Sequence, residues 1–64
     1  MYQKYAELRD LKGVKDNEVS RATGIPQSTF TDWKQGRSTP KLPKLLKLAE
    51  YFEVSVEVFV TNDL

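Results

Sequence analysis

The stretch TGIPQSTFTDWKQG, residues 23–36, decides how this chain folds. Gly24 and Gly36 bracket it, and Pro26 opens the segment between them. Glycine ends helices easily because it adopts a positive φ without a Cβ clash. Proline is tolerated in a first helical turn because its missing N–H would have no partner there. We therefore predict a short helix over residues 26–35.

This helix has an apolar side and a polar side. Phe30 and Trp33 stand three residues apart, a spacing that places them on one helix face, so we expect Phe30 in the core and Trp33 at its edge. The polar positions form either a solvated surface or a set of hydrogen-bonding groups aimed at a partner. They are Gln27, Ser28, Thr31 and Asp32.

Working outward, apolar periodicity and helix-stop residues predict four more helices. Gly13 and Gly24 end the first two, Pro43 fits the first turn of the fourth, and Ser55 is a good N-cap for the last. The segment VSVEVFV, residues 54–60, also alternates like a strand, but a lone strand has nothing to pair with. The sequence predicts a single all-α domain over residues 1–64, with helices at about 2–12, 16–23, 26–35, 42–52 and 55–60.

The apolar spacing also predicts which side of each helix faces the core. In the first helix this side carries Tyr5 and Leu8, and in the second it carries Val19 and Ala22. The fourth helix has the strongest periodicity, with apolar residues three and four apart. Its expected inward residues are Leu42, Leu45, Leu46, Ala49 and Phe52.

Composition excludes several classes of function. The 64 residues include no cysteine and no histidine, so thiolate metal sites, disulfides and the commonest general base are absent. No Ser-His-Asp set or phosphate-cradling glycine loop is present. We expect no enzyme, metal, cofactor or small-molecule ligand. Without an apolar run that could span a bilayer or a signal core, we also expect no membrane association.

Charge is unevenly distributed along the chain. Residues 25–47 carry five Lys or Arg against Asp32 alone, whereas residues 48–64 carry four acids and no basic residue. The net charge of the whole chain is only +1. An anionic partner should therefore meet the middle of the chain.

Two short helices separated by a glycine turn make a helix-turn-helix, whose second helix enters the DNA major groove. The chain resembles the Cro/cI-type (XRE) helix-turn-helix family over about residues 5–60. The matching pieces, in the same order and spacing, are KGV (12–14), ATGI (22–25), QSTFTDWKQGRSTP (27–40), LLKLAEYF (45–52) and VSVEVFV (54–60).

The resemblance implies a compact five-helix, lambda-repressor-like domain that binds operator-like double-stranded DNA. Members of the family regulate transcription in bacteria and phages, so it implies a cytoplasmic regulator, expected to be a repressor. Members commonly bind as dimers. A homodimer and a palindromic operator are thus expected from the resemblance alone.

The resemblance places base contacts on Gln27, Ser28 and Asp32, with Thr31 beside them. Glutamine can bond adenine at two atoms, serine can meet donors or acceptors, and aspartate can accept from cytosine N4. For Asp32, two alternatives stay open: exclusion of wrong sequences, and pairing with Lys34 or Arg37.

Phosphate contacts should come from polar and basic side chains near helix starts and in the loop after the recognition helix. They are Asn17, Lys34, Arg37, Ser38, Thr39 and Lys41. The chain departs from the family pattern at Asp16, where members usually carry a glutamine that grips the DNA backbone. An acid there either repels phosphate or serves as a helix cap. Two further departures are Lys15, in place of a capping Ser or Thr, and Glu53, in place of glycine.

A second hypothesis keeps the fold without DNA binding. In it, the chain is a protein-interaction module, antitoxin-like or docking another regulator. The acidic last segment would offer the apolar surface, formed by Val56, Val58, Phe59 and Val60.

Overall fold

The computed structural model describes residues 2–60, and five α-helices account for most of them. Within these residues there is no strand, and the predicted all-α fold class is confirmed. The predicted domain of residues 1–64 extends beyond the described residues at both ends. None of the described helices combines the length and the apolar character that crossing a membrane requires. The helices are α1 (Tyr2–Lys12), α2 (Asp16–Thr23), α3 (Gln27–Lys34), α4 (Leu42–Phe52) and α5 (Glu57–Val60).

Two helices begin later than the sequence predicted. Pro26 has φ −61° and ψ 145°, an extended conformation, so it is the residue that precedes α3 and the first helical residue is Gln27. α5 begins at Glu57 instead of residue 55. The hydroxyl of Ser55 accepts the N–H of Glu57 at 3.3 Å, so this serine caps the helix from outside it.

The core is built on aromatic rings from three helices. The ring of Tyr5 in α1 stacks on Phe30 of α3, with centroids 4.7 Å apart and planes 5° from parallel. Trp33, one turn further along α3, lies 5.7 Å from the Tyr5 ring and 6.3 Å from Phe59 of α5. Trp33 is fully within this core, and not at its edge as expected, because rings from α1 and α5 cover it.

The apolar stripes of α2 and α4 are narrower than predicted. Ala22 is exposed, and of the expected stripe in α4, Leu42 and Leu46 remain 55% and 49% exposed. The buried line of α4 instead runs through Leu45, Leu48 and Ala49. Leu48 is fully buried, and its position three residues after Leu45 rotates the buried face away from Leu42 and Leu46.

The turn between α2 and α3 is held by two hydroxyl side chains as well as by glycine. Gly24 has φ 81° and donates its N–H to the carbonyl of Ser20 at 2.8 Å. Thr23 accepts the N–H of Ile25 at 3.3 Å, and the hydroxyl of Ser20 donates to the carbonyl of Ile25. Ile25 is thereby fixed as a buried plug between the two helices.

Glu53 ends α4 in a conformation that favours glycine. Its φ is 59° and its ψ is 46°, the left-handed region, and among the described residues it is the one non-glycine with positive φ. The following N–H, of Val54, bonds to the carbonyl of Ala49 at 2.9 Å, which requires the chain to turn back at this residue. Because the side chain of Glu53 is exposed, its removal costs little packing.

We expect Glu53→Gly to stabilise the domain by about 1 kcal/mol, since glycine adopts the left-handed conformation without the Cβ clash. Urea unfolding at neutral pH would show this as a higher midpoint with an unchanged slope. Glu53→Ala is the control: it removes the same side chain but keeps a Cβ. Equal stabilisation by both substitutions would show that charge, and not backbone conformation, is responsible.

Candidate nucleic-acid interface

The recognition surface proposed from the sequence lies on the outward side of α3. The inward side of this helix is anchored by Phe30 and Trp33, both in the core. Of the four candidate base-contacting residues, Gln27, Ser28 and Thr31 are exposed and Asp32 is half-buried. The hydroxyl of Thr31 lies 3.5 Å from the carbonyl of Gln27, one turn earlier. The structure thus brings the four side chains to one surface that the core leaves open.

Asp32 is paired with Arg37, which lies three residues beyond the end of α3. Its carboxylate lies 3.2 Å from Nη1 of Arg37, and Nη2 of Arg37 donates to the side-chain oxygen of Gln35 at 2.6 Å. The Arg37 guanidinium is therefore folded back along α3 and does not project freely from the loop. Of the alternatives considered for Asp32, pairing occurs with Arg37 and not with Lys34.

The start of α2 carries the acid that departs from the family pattern. Asp16 is the first residue of the helix, and its Oδ1 accepts hydrogen bonds from the Tyr5 hydroxyl and from Nη1 of Arg9, the latter at 3.0 Å. Both donors come from α1. The carboxylate is therefore compensated by a cation, and its function is to join α1 to α2.

The capping of α2 also depends on a residue that the sequence prediction did not use. Lys15 precedes the helix in an extended conformation, and its side chain has no oxygen that could accept a hydrogen bond. Its backbone N–H is instead accepted by Oε1 of Glu18 at 2.8 Å. This is one half of a capping box, and it compensates for the missing serine or threonine.

The sequence analysis did not predict Tyr5 and Arg9 as hydrogen-bond donors to Asp16, since they lie eleven and seven residues before it. Burial, together with the hydrogen bond to Asp16, raises the pKa of the Tyr5 hydroxyl well above its ordinary value. The hydrogen bond to Asp16 is also the largest cause that raises the pKa of Arg9. Both donors therefore keep their protons in the folded state.

Besides Arg37, which is paired with Asp32, the candidate phosphate-contacting residues lie in three places. Asn17 is exposed in the first turn of α2, and Lys34 is exposed at the end of α3. Ser38, Thr39 and Lys41 belong to the loop before α4, where with Asp32 and Lys44 they line a cavity of about 510 Å³. The loop group therefore lies beside Asp32, at the margin of the α3 surface.

Residues 2–60 contain no cluster of three histidine, cysteine or acidic side chains that could hold a metal ion. Their carboxylates at the candidate interface are instead engaged by arginines, Asp16 by Arg9 and Asp32 by Arg37. The surface offers hydrogen-bonding groups and positive charge, which is the chemistry of DNA binding.

The Tyr5 hydroxyl gives a testable pH dependence. In the unfolded chain, tyrosine loses its proton above about pH 10, whereas the folded protein retains it. The wild type should therefore lose about 1.4 kcal/mol of unfolding free energy per pH unit above pH 10, relative to Tyr5→Phe. Below pH 9, the wild type should be the more stable of the two by about 1.5 kcal/mol, the lower end for a hydrogen bond to a charged group. Urea unfolding of both proteins between pH 8 and 11 measures these differences. If the unfolding free energies of the wild type and Tyr5→Phe changed with pH in parallel, the raised pKa assigned to Tyr5 would be wrong.

Comparison with known proteins agrees with this architecture. A family model described as helix-turn-helix matches residues 6–59, from within α1 to within α5. An uncharacterized HTH-type transcriptional regulator of Haemophilus influenzae is 39% identical over 46 residues, covering 72% of this chain and 19% of that protein. The cryptic phage CTXphi transcriptional repressor RstR of Vibrio cholerae is 28% identical over 60 residues, covering 89% of this chain and 54% of RstR.

The chain thus spans about a fifth and about half of the lengths of these two relatives. No solved structure matches it with comparable significance. The family match covers the helix-turn-helix of α2 and α3 and the helices that support it. The chain belongs to the XRE-type helix-turn-helix family of DNA-binding transcriptional regulators, which is not a family of enzymes.

Proposed function

We propose that this domain binds double-stranded DNA in a sequence-specific way, with α3 in the major groove, and represses transcription. The observation that carries the proposal is the division of α3: its apolar side is locked into the core by Phe30 and Trp33, while its polar side is open beside a basic loop. The name of RstR, a transcriptional repressor, supports the direction of regulation.

Base contacts are assigned to the exposed side of α3. Gln27 and Ser28 lie in its first turn, the end that enters the groove in helix-turn-helix proteins. Thr31 follows one turn later, and Asp32 lies beside it. Glutamine and serine can each satisfy the donors and acceptors on base edges, whereas threonine adds a methyl group that can contact thymine.

Phosphate contacts are assigned to the residues that flank this surface: Asn17, Lys34, Ser38, Thr39 and Lys41. Of the basic residues here, Lys34 and Lys41 have no acidic partner in the described structure. Their charge is available to the DNA backbone. The positions of the hydroxyls of Ser38 and Thr39 next to Lys41 suit hydrogen bonding to the same strand.

We further propose that the domain acts as a homodimer on a palindromic operator in the cytoplasm of a bacterial or phage-infected cell. One recognition helix of eight residues contacts few base pairs, so two copies on a symmetric site would supply the affinity that one lacks. Membership of the family supports this arrangement.

A second candidate function is protein interaction without DNA binding. The observation that favours it is the exposed apolar pair Leu42 and Leu46, one turn apart on α4, with Val60 also exposed on α5. The surface expected on the last segment is smaller than predicted, because Phe59 belongs to the core. A gel shift with random duplex at low salt separates the two candidates: absence of any shift favours protein interaction.

The assignment of α3 is tested by selecting bound sites from a random duplex pool. Gln27→Ala should relax the preference at one base position by about 1–3 kcal/mol, because the hydrogen-bonding amide is lost. Ser28→Ala should act at the adjacent position. Gln3→Ala, the same substitution at an exposed site on α1, should leave the motif unchanged. If both α3 variants select the wild-type motif, the recognition surface lies elsewhere.

The phosphate assignment is tested through the dependence of affinity on salt. The wild type should bind its selected site with an affinity that falls steeply as salt rises, because neutralised phosphates release counterions. Lys41→Ala should weaken binding to all sequences alike and reduce the slope of log K against log salt by about 1. Fluorescence anisotropy from 50 to 200 mM salt measures both effects. A change of base preference in Lys41→Ala would contradict the assignment.

A further inference from the structure

The Arg37 guanidinium lies on the exposed surface of α3, although Arg37 itself is outside the helix. Its two terminal nitrogens are each held: Nη1 by Asp32 at 3.2 Å and Nη2 by Gln35 at 2.6 Å. The side chain nevertheless remains 61% exposed. The charged group is thus fixed in direction but open to a ligand.

Helical spacing identifies the surface on which this group lies. Gln27, Thr31 and Gln35 follow one another at intervals of four residues, so they form one line along the outward side of α3 and its cap. Gln35 is the last member of this line, and it bonds the guanidinium directly. Arg37 therefore extends the line of candidate base-contacting residues by one further group.

The backbone explains how a residue beyond the helix returns to it. Gly36 has φ 78°, and its N–H bonds to the carbonyl of Trp33 at 3.1 Å. The N–H of Arg37 then bonds to the carbonyl of Asp32 at 2.9 Å, which completes a Schellman turn. This turn brings the Arg37 backbone back beside Asp32, where its side chain can reach the Asp32 carboxylate.

We propose that Arg37 is a specificity-determining residue that contacts a guanine in the major groove, with Asp32 and Gln35 as the positioning residues that orient its guanidinium. This rests on the proposed function, since it places α3 in the groove. In this proposal, Arg37 contacts guanine instead of the phosphate expected from the sequence. Asp32 orients Arg37 instead of accepting a hydrogen bond from cytosine.

The chemistry of the group suits guanine. A guanidinium has five N–H donors in a plane, and the bonds to Asp32 and Gln35 occupy two of them. The remaining three can donate to O6 and N7 of guanine, the commonest specific contact in the major groove. Orientation by two neighbours removes rotamer freedom before binding, which lowers the entropic cost of the contact.

The same arrangement explains an acid on a DNA-binding helix. An unpaired carboxylate there would repel phosphate, whereas the carboxylate of Asp32 is compensated by Arg37. Exposed ion pairs add little to folding stability. The Asp32–Arg37 pair is therefore better explained by its orientation of the guanidinium than by a contribution to folding stability.

The experiment combines site selection with a modified base. The full chain, as wild type and as Arg37→Ala, selects sites from a random duplex pool. We expect a guanine near the end of each wild-type half-site that Arg37→Ala no longer prefers, with discrimination reduced about 5- to 150-fold. Replacing that guanine by 7-deazaguanine, which lacks the N7 acceptor, should weaken wild-type binding and leave the affinity of Arg37→Ala unchanged.

Two further variants separate orientation from charge. Asp32→Asn should reduce discrimination at the same guanine, because it loosens the guanidinium, while circular dichroism shows an unchanged fold. Lys41→Ala removes the same charge from the neighbouring loop and should retain the guanine preference. The inference is overturned if Arg37→Ala keeps the whole motif and loses affinity evenly, as a phosphate contact would. In that case a Gln27-dependent motif would leave the proposed function intact, whereas a wild type that selects no motif would overturn both.

Discussion

The structure depends most on the side chain of Tyr5, because it contacts both helices of the helix-turn-helix. Its ring stacks on Phe30 and lies against Trp33, which fixes α3, and its hydroxyl donates to Asp16, which fixes the start of α2. One buried residue of α1 therefore sets the position of α3 relative to α2. A chain this small buries only about 60% of the surface that its unfolded form exposes, so each contact between helices matters more than in a larger domain.

Much of the fold was predictable, because its signals are local. Glycine at Gly13, Gly24 and Gly36 takes positive φ at a helix end in each case, and the spacing of Phe30 and Trp33 gave the buried side of α3. Which side of α4 is buried was less predictable. Leu42, Leu45, Leu46 and Leu48 are chemically alike, so only the position of the neighbouring helices decides which of them are covered.

The candidate site also has features that the sequence predicts and features that it does not. The exposure of Gln27, Ser28 and Thr31 follows from helical periodicity and from the burial of Phe30. The partner of Asp16 does not, and for Asp32 the sequence left both Lys34 and Arg37 open, because ion pairs depend on side-chain directions across a turn or between helices. Lys12 and Lys15 lie nearer to Asp16 in the sequence than Arg9 does, so proximity alone does not identify Arg9 as its partner. A hydroxyl and a guanidinium on one side of α1, at positions 5 and 9, were the available signal.

The two arginine–aspartate pairs change which charged groups of the surface remain uncompensated. A count over residues 25–47 treats Asp32 as a loss of positive charge and Arg37 as a gain, and the resemblance treats Asp16 as an obstacle. In the structure each acid is matched by an arginine within 3.2 Å, so neither leaves an isolated negative charge facing a phosphate. Within residues 25–47, the charges that act at long range are then those of the lysines without an acidic partner in the described structure: Lys34, Lys41, Lys44 and Lys47. Under the proposed function, attraction to DNA and orientation of the α3 surface are supplied by different residues. Salt should weaken the first more than the second, since short hydrogen-bonded pairs are screened less than distant charges.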